Sequence, residues 1–448
     1  MDRTDALALL HQMLDVVEDV DRGPRPPADP EILRGTLPLD LPVTGRPLPE
    51  VRRRLEALLR VTPQSADGRS YSQLTSGRDW PAVVGDMLVP VLDHTLATWR
   101  SSGSQVWVED VVVRRMLALL GMPDGEGTFA PGGSLSNLAA LVLARDAAEE
   151  TASREGIGRP HTVYTSASAH YSVRKAAAIA GLGRGRVRAI ATDGSGRMDP
   201  AALAEQLRAD TAAGLRPTAI VATSGTSVEG AFDPLVPLAD LAATHGAWLH
   251  VDGAWGGAAA LVPELRTTKL AGIERADSVT WDAHKAMGVP LTSSLLAVRE
   301  PGHLAASLDE TATYLFGGSA GDNPGRRSLL CGRRNDVLKL WLAWQVHGDA
   351  GYEARIRGLL RQTALAVGRV RDADHLTLLL EPEWLNVCFT VDGHEPRAVC
   401  ARLEADHVGV IGFATVHGSP CIRLVLADAN RTDAQVHAVF DAIEAMVG

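Results

Sequence analysis

Between about residues 105 and 300 the chain alternates two periodicities, and this alternation limits the folds open to it. Helical runs at 107–120, 135–152, 200–212 and 234–245 are interleaved with short apolar, β-rich segments. Those segments are HTVYTS (161–166), RVRAIAT (186–192), TAIVATS (218–224), AWLHVD (247–252), SVTWD (278–282) and SSLLAVR (293–299). Strands separated by helices need crossover connections, and these build a mainly parallel sheet in an α/β fold. In such sheets ligands collect at the carboxyl ends of the strands. Three groups of polar residues fall there: Ser166 to His170, Thr223 to Thr226, and Asp252.

The flanks read differently. Residues 4–20 place Leu7, Leu10, Met13, Val16, Val17 and Val20 at helical spacing, and RGPRPPADP (22–30) then breaks the pattern. A second helix is expected near 48–60, so residues 1–64 form an N-terminal helical extension. Residues 65–335 make a large domain. After the helical run DVLKLWLAWQVHG (336–348), residues 336–448 read as a smaller α+β unit, with PEWLNVCFTV, CIRLVLAD and a last helix near 432–447. The Gly-rich stretch GGSAGDNPG (317–325) reads as a mobile loop. At 448 residues, two to three packing units are expected, at roughly 100–200 residues each.

Composition excludes several classes. Hydrophobic residues at 46% and charged residues at 22% suit a large core and rule out general disorder. A net charge of −10 argues against nucleic acid or an anionic membrane as the main partner. The four cysteines, Cys331, Cys388, Cys400 and Cys421, have no metal-site spacing and make no disulfide framework. A reducing, cytoplasmic setting fits them. The first twenty residues lack a signal-peptide core, and no apolar run approaches about 18 residues.

Four segments carry candidate chemistry. In TFAPGGSLSN (128–137) a Gly-Gly-Ser turn opens a helix and can cradle a phosphate; it can also be a tight loop with a serine cap. In AWLHVDGAWGG (247–257) Asp252 ends an apolar strand, where a carboxylate can hold a protonated ring nitrogen or simply cap a turn. Ala254 is small enough to lie flat on a ring. In SVTWDAHKAMG (278–288) Lys285 is the best of only four lysines for imine formation; Lys175, Lys269 and Lys339 sit in plain helical or polar contexts. In SASAHYSVRKAAAIAGLG (166–183) His170 follows a strand and can stack on a ring or serve as a core histidine. Together they supply the parts that pyridoxal 5'-phosphate needs.

At these residues the chain resembles the group II pyridoxal-phosphate-dependent amino-acid decarboxylases, and within them the glutamate/cysteine-sulfinate decarboxylase branch. The resemblance covers roughly residues 65–445. It rests on APGGSLSNL, SASAHYSVRKAA, TSGTSVEGAFDPL, HVDGAWGG, WDAHKAMGVPLTSSLLAV, YLF, CGRRNDVLKLWLAW, PEWLNVCF and IRLVLADAN in order. It implies the fold-type-I transferase fold with a seven-stranded-type sheet, and a homodimer with its active site at the interface. It implies Lys285 as the Schiff-base amine, Asp252 on the pyridinium nitrogen, and Ala254 and His170 on the two ring faces. Gly133 and Ser134 would hold the phosphate, with Asp282 and His284 close by and Thr226 touching the cofactor. Gln73 would lie near the substrate, and Arg423 would bind its carboxylate. The implied reaction is decarboxylation of a small L-amino acid, acidic ones included, to the amine.

The sequence departs from the family in three places. Relatives carry a loop tyrosine before the CGR segment, thought to protonate Cα, but 315–351 holds none and Tyr314 belongs to YLF. Leu330 replaces the usual glutamine before CGR. Near WRSSGSQ (99–105), Arg100 and Gly103 replace a glutamate and a proline; Arg100 suits an acidic side chain or a plain surface position. These departures motivate an alternative: the same cofactor and fold with a redirected intermediate, giving an aldehyde after decarboxylation or another reaction at Cα or Cβ. A non-enzymatic scaffold has no use for Lys285, Asp252 and His170.

Overall fold

The computed structural model describes residues 2–22, 30–62, 67–310 and 323–447. The YLF motif with Tyr314, and 317–322 of the Gly-rich stretch, lie outside the described residues. Among the described residues twelve strands form two sheets. In chain order they are β1 (Ser70–Tyr71), β2 (Glu126–Ala130), β3 (His161–Ser166), β4 (Val187–Ile190), β5 (Arg216–Thr223) and β6 (Trp248–Asp252). Then come β7 (Ser278–Asp282), β8 (Ser294–Val298), β9 (Leu376–Leu378), β10 (Asn386–Val391), β11 (Val410–Val416) and β12 (Ser419–Val425).

The large sheet has the order β2-β8-β7-β6-β5-β3-β4. Strands β7, β6, β5, β3 and β4 are parallel, and β8 runs antiparallel to both β7 and β2. Every residue of β3, β6, β7 and β8 is buried, because helices cover both faces. Period two sorts the side chains: Ile220 and Ala222 of β5 enter one core, Ala219 and Val221 the other. The covering helices are the expected ones, at Gln105–Leu119, Gly133–Ala148, Pro200–Ala212 and Leu235–His245. Pro200–Ala212 shows why its start was legible: Asp199 accepts the Ala201 N–H at 2.8 Å, and Pro200 sits where its missing N–H costs nothing.

The second sheet has the order β1-β11-β12-β10-β9. Here the structure adds what sequence did not suggest. Ser70–Tyr71 leaves the segment before the large sheet and pairs in parallel with β11. Tyr71 is fully buried in the C-terminal core beside Phe389 and Phe440, and its hydroxyl donates to Gln435 O at 2.8 Å. The helical stretch Leu338–Asp372 joins the two sheets and breaks at Gly348, whose φ of 61° favours glycine. In the extension, Leu48–Val61 has no buried residue. Among the described residues no helix is long and apolar enough to cross a membrane.

Candidate active site

A cavity of about 420 Å³ lies where β5, β6 and β7 end, and the last residue of each strand, Thr223, Asp252 and Asp282, lines it. Gln73, Gly133, Ser134, His170, Ala254, His284 and Lys285 line it too. Nine of the eleven residues singled out in the sequence therefore meet in one place. Lys285 is the only lysine there. Lys339 is fully buried and paired with Asp86 at 2.9 Å, Lys269 pairs with Glu383, and Lys175 lies by the Tyr171 ring.

Local structure explains each placement. Lys285 sits in the turn after β7, its Nζ 3.2 Å from Asp282 Oδ2. His284 Nε2 lies 3.5 Å from the same oxygen, and burial pushes its pKa down. Asp252 closes β6; its Oδ2 accepts the Asn137 amide at 2.8 Å and its Oδ1 the Ala254 N–H at 3.2 Å. His170 follows β3. Its Nδ1 accepts the Ser172 N–H at 3.3 Å and lies 2.8 Å from Ser172 Oγ, so that nitrogen holds a lone pair. Burial lowers the pKa of His170 against the pull of Asp252, and the Lys285 charge lowers it further.

The turn at Gly132 (φ 102°) leads into the helix Gly133–Ala148. A Cβ on Gly133 would stand 2.9 Å from Asp282 Oδ2 and 3.1 Å from Ala254 Cβ, so only glycine fits. The first turn of this sixteen-residue helix offers N–H groups and a positive dipole end to an anion.

Two expected residues are not on the cavity lining. Thr226 is fully buried; its hydroxyl donates to Glu229 Oε2 at 2.9 Å and accepts the Ala231 N–H at 3.0 Å, so its one proton is already used. Arg423 stands behind the lining. Its Nη1 donates to Ser227 O at 2.8 Å and its Nη2 to Ser72 O, holding the segment that carries Gln73. Its Nε is buried without a partner. Arg100 is exposed and does not line the cavity. Sequence reading gave no role to Asn137, Ser172 or Thr75, which do. Asn137 lies in the quoted phosphate turn, one helical turn beyond Gly133, and that spacing was the available signal.

These residues fit pyridoxal phosphate. An amine, a carboxylate, a small flat residue and a helix start surround one space. Thr75 Oγ1, Thr223 Oγ1 and Asp282 Oδ1 are buried there without hydrogen-bond partners. Buried polar atoms are rarely left so, and a polar ligand would satisfy them.

Comparison with known proteins agrees. Residues 30–392 match the pyridoxal-dependent decarboxylase conserved domain, and the chain belongs to that family. It is a carboxy-lyase that uses pyridoxal 5'-phosphate on an amino acid, on the fold-type-I architecture. The cysteine sulfinic acid decarboxylase of Homo sapiens is 37% identical over 368 residues, which is 81% of this chain and 74% of that protein. The acidic amino acid decarboxylase GADL1 of Bos taurus is 35% identical over 367 residues, 80% of this chain and 70% of that one. The crystal structure of mouse CSAD superposes with a TM-score of 0.94 at 31% identity, covering 100% of this chain and 99% of the other.

Proposed function

We propose that the chain decarboxylates a small acidic L-amino acid to its amine, with Lys285 as the amine that anchors the cofactor. One observation carries this reading: Lys285, Asp252, His170 and the Gly133–Ser134 helix start converge on one cavity at the carboxyl edge of the sheet. The acidic side chain rests on the relatives, which are named for cysteine sulfinate and acidic amino acids.

When bound, pyridoxal phosphate takes up the electron pair released as the bond from Cα to the carboxylate breaks. The chain's residues do the rest. Asp252 holds a proton at the ring nitrogen by charge pairing. Ala254 and His170 would flank the ring, and Gly133 and Ser134 would hold the phosphate. Asp282 and His284 hold Lys285 in place. Thr226 acts from behind, fixing the turn that carries Gly225 and Ser227. Gln73 meets the substrate, and Arg423 offers its free Nε to the substrate carboxylate.

We further propose that a second copy completes the enzyme as a homodimer, with the active site at the interface. The helix Trp80–Leu92 leaves Trp80, Val84, Met87, Leu88 and Val91 exposed at helical spacing on one face, with Val91 at 78%. A patch of this kind marks an interface. A monomer in sedimentation would remove this part. The four free cysteines support a reducing, cytoplasmic setting. Residues 1–64 would serve as an extension, 65–335 as the cofactor domain, apart from Ser70–Tyr71, which joins the C-terminal sheet, and 336–448 as the small domain.

The test is a product assay. Purified protein with pyridoxal phosphate meets a panel of L-amino acids, with and without oxygen, and CO₂ and product mass are recorded. CO₂ with an amine from an acidic substrate, regardless of oxygen, is expected. An aldehyde with oxygen consumed, or no CO₂ at all, overturns the reading in favour of redirected chemistry.

A further inference from the structure

Beneath Asp252 a line of buried polar groups crosses from the sheet to the helix Gly133–Ala148. Strand β6 puts Trp248, His250 and Asp252 on one face. Strand β7 sets Ser278 opposite His250 and Thr280 opposite Asp252. Trp248 Nε1 donates to Ser278 Oγ at 2.7 Å, and Ser278 Oγ lies 2.8 Å from His250 Nδ1. His250 Nε2 lies 3.0 Å from Asn137 Oδ1, which also accepts from Thr280 Oγ1 at 2.9 Å. Asn137 Nδ2 then donates to Asp252 Oδ2 at 2.8 Å and to Ser172 Oγ at 3.1 Å. Ser172 in turn meets His170 Nδ1.

The carboxylate end of this line sets its direction, because an ionised carboxylate can only accept. Asn137 therefore turns its two N–H bonds to Asp252 and Ser172 and its Oδ1 to His250 and Thr280. Neutral His250 meets that oxygen with its proton on Nε2. Its Nδ1 then holds a lone pair and takes the proton of Ser278, whose oxygen accepts from Trp248. Ser172 passes its proton to His170 Nδ1, which leaves the His170 proton on Nε2. All four hydrogen-bonding positions of Asn137 are filled, and it is 2% exposed.

We infer that Asn137 is a positioning residue for the cofactor, joining the carboxylate at the ring nitrogen to the histidine on the ring face. The inference rests on the proposed cofactor roles of Asp252 and His170. With its Oδ2 accepting the N–H of Asn137, the Asp252 carboxylate is held in place as an acceptor for the ring N–H. Losing the amide would loosen that acceptor, and with it the pairing that keeps the proton on the ring nitrogen. Through Ser172 the same amide sets the tautomer of His170. His250 and Thr280 keep the amide from turning over.

The holoenzyme provides the test, read by equilibrium dialysis of pyridoxal phosphate and by ¹⁵N NMR of ring-labelled cofactor. Asn137→Leu keeps the volume and removes the amide. Cofactor affinity is expected to fall about 10- to 100-fold, the scale of one hydrogen bond to a charged group. The ring-nitrogen signal is expected to move toward neutral pyridine. Ser172→Ala cuts only the arm to His170 and should leave that signal in place. If Asn137→Leu does not fold, Thr280→Val keeps the shape, removes one donor to Asn137, and should shift the signal the same way by less. An unchanged ring-nitrogen signal and affinity in the Asn137 or Thr280 variant overturns the inference. So does a shift in Ser172→Ala as large as theirs. Wild type that takes up no pyridoxal phosphate sinks the functional reading itself, which separates the two failures.

Discussion

The floor and the lining of the cavity are built on opposite terms. On the floor, Asn137, His250, Thr280 and Ser278 are buried, and each hydrogen bond has a defined donor and acceptor. On the lining, Thr75 Oγ1, Thr223 Oγ1 and Asp282 Oδ1 are buried with no partner, and Arg423 Nε behind them is in the same state. A fully satisfied network has one low-energy arrangement; an unsatisfied surface keeps its capacity for something else. The difference separates the part of the site that holds the cofactor's electronics from the part that receives ligand.

Breaking the lining at its amine should have the largest effect. Lys285→Ala should lower turnover by at least about 10⁴-fold, the scale of losing a nucleophile, and abolish the absorbance of the anchored cofactor. Steady-state kinetics with a spectrum decides it, and an active, coloured variant would mean another amine does the work. Asp252→Asn comes next, because it replaces the acceptor on which the floor converges. Rate should fall about 100-fold or more while some cofactor stays bound. Near-normal kinetics would show that the floor's order serves packing alone.

The floor was also the harder part to read in sequence. Strands β3 and β7 match their sequence segments end to end, since fully buried strands announce themselves as short apolar runs. Lys285, Asp252 and His170 stood out because each is a charged or titratable group at the end of such a run. Asn137 did not, since a neutral amide inside a helix gives no composition signal; its importance comes from His250 and Thr280, more than a hundred residues away. Strand β2, EGTFA, is a short edge segment without a period-two pattern. Strand β1 is two residues whose only reason to be extended is β11, 340 positions on. Resemblance drew Thr226 and Arg423 toward the ligand; in the structure the Thr226 hydroxyl proton goes to Glu229 and the two Arg423 Nη atoms to Ser227 and Ser72, while Arg423 Nε keeps no partner.

Arg423 gives a smaller effect that sharpens the contrast. As a carboxylate ligand it affects substrate; as a clamp on Ser72 and Ser227 it affects the whole lining. Arg423→Ala should lower kcat/KM about 10- to 100-fold, the cost of one charged hydrogen bond. Arg423→Lys keeps the charge but lacks the planar fork whose two Nη atoms reach Ser227 O and Ser72 O separately. If the lysine variant recovers most of kcat/KM, carboxylate contact is the main role. If it behaves like alanine and also weakens cofactor binding, the clamp dominates.

The smallest effect is on stability, and it reads the floor directly. Full burial pushes the pKa of His250 down to about 4 from 6.5. The unfolded chain takes up this proton near pH 6.5, whereas the folded chain resists it until about pH 4. Stability from this residue is therefore complete above the unfolded value and is lost as pH falls through that window. The full window is worth on the order of 3 kcal/mol. His250→Gln keeps an amide donor for Asn137 and removes the titration. Its urea midpoint should fall less than that of wild type between about pH 7 and pH 4, at matched protein concentration. Equal falls would mean that the floor tolerates an imidazolium. Nδ1 of a charged His250 would then donate, to the Ser278 hydroxyl or to the Ser278 backbone that favours the charged form, and the single direction of the floor's hydrogen bonds would not hold.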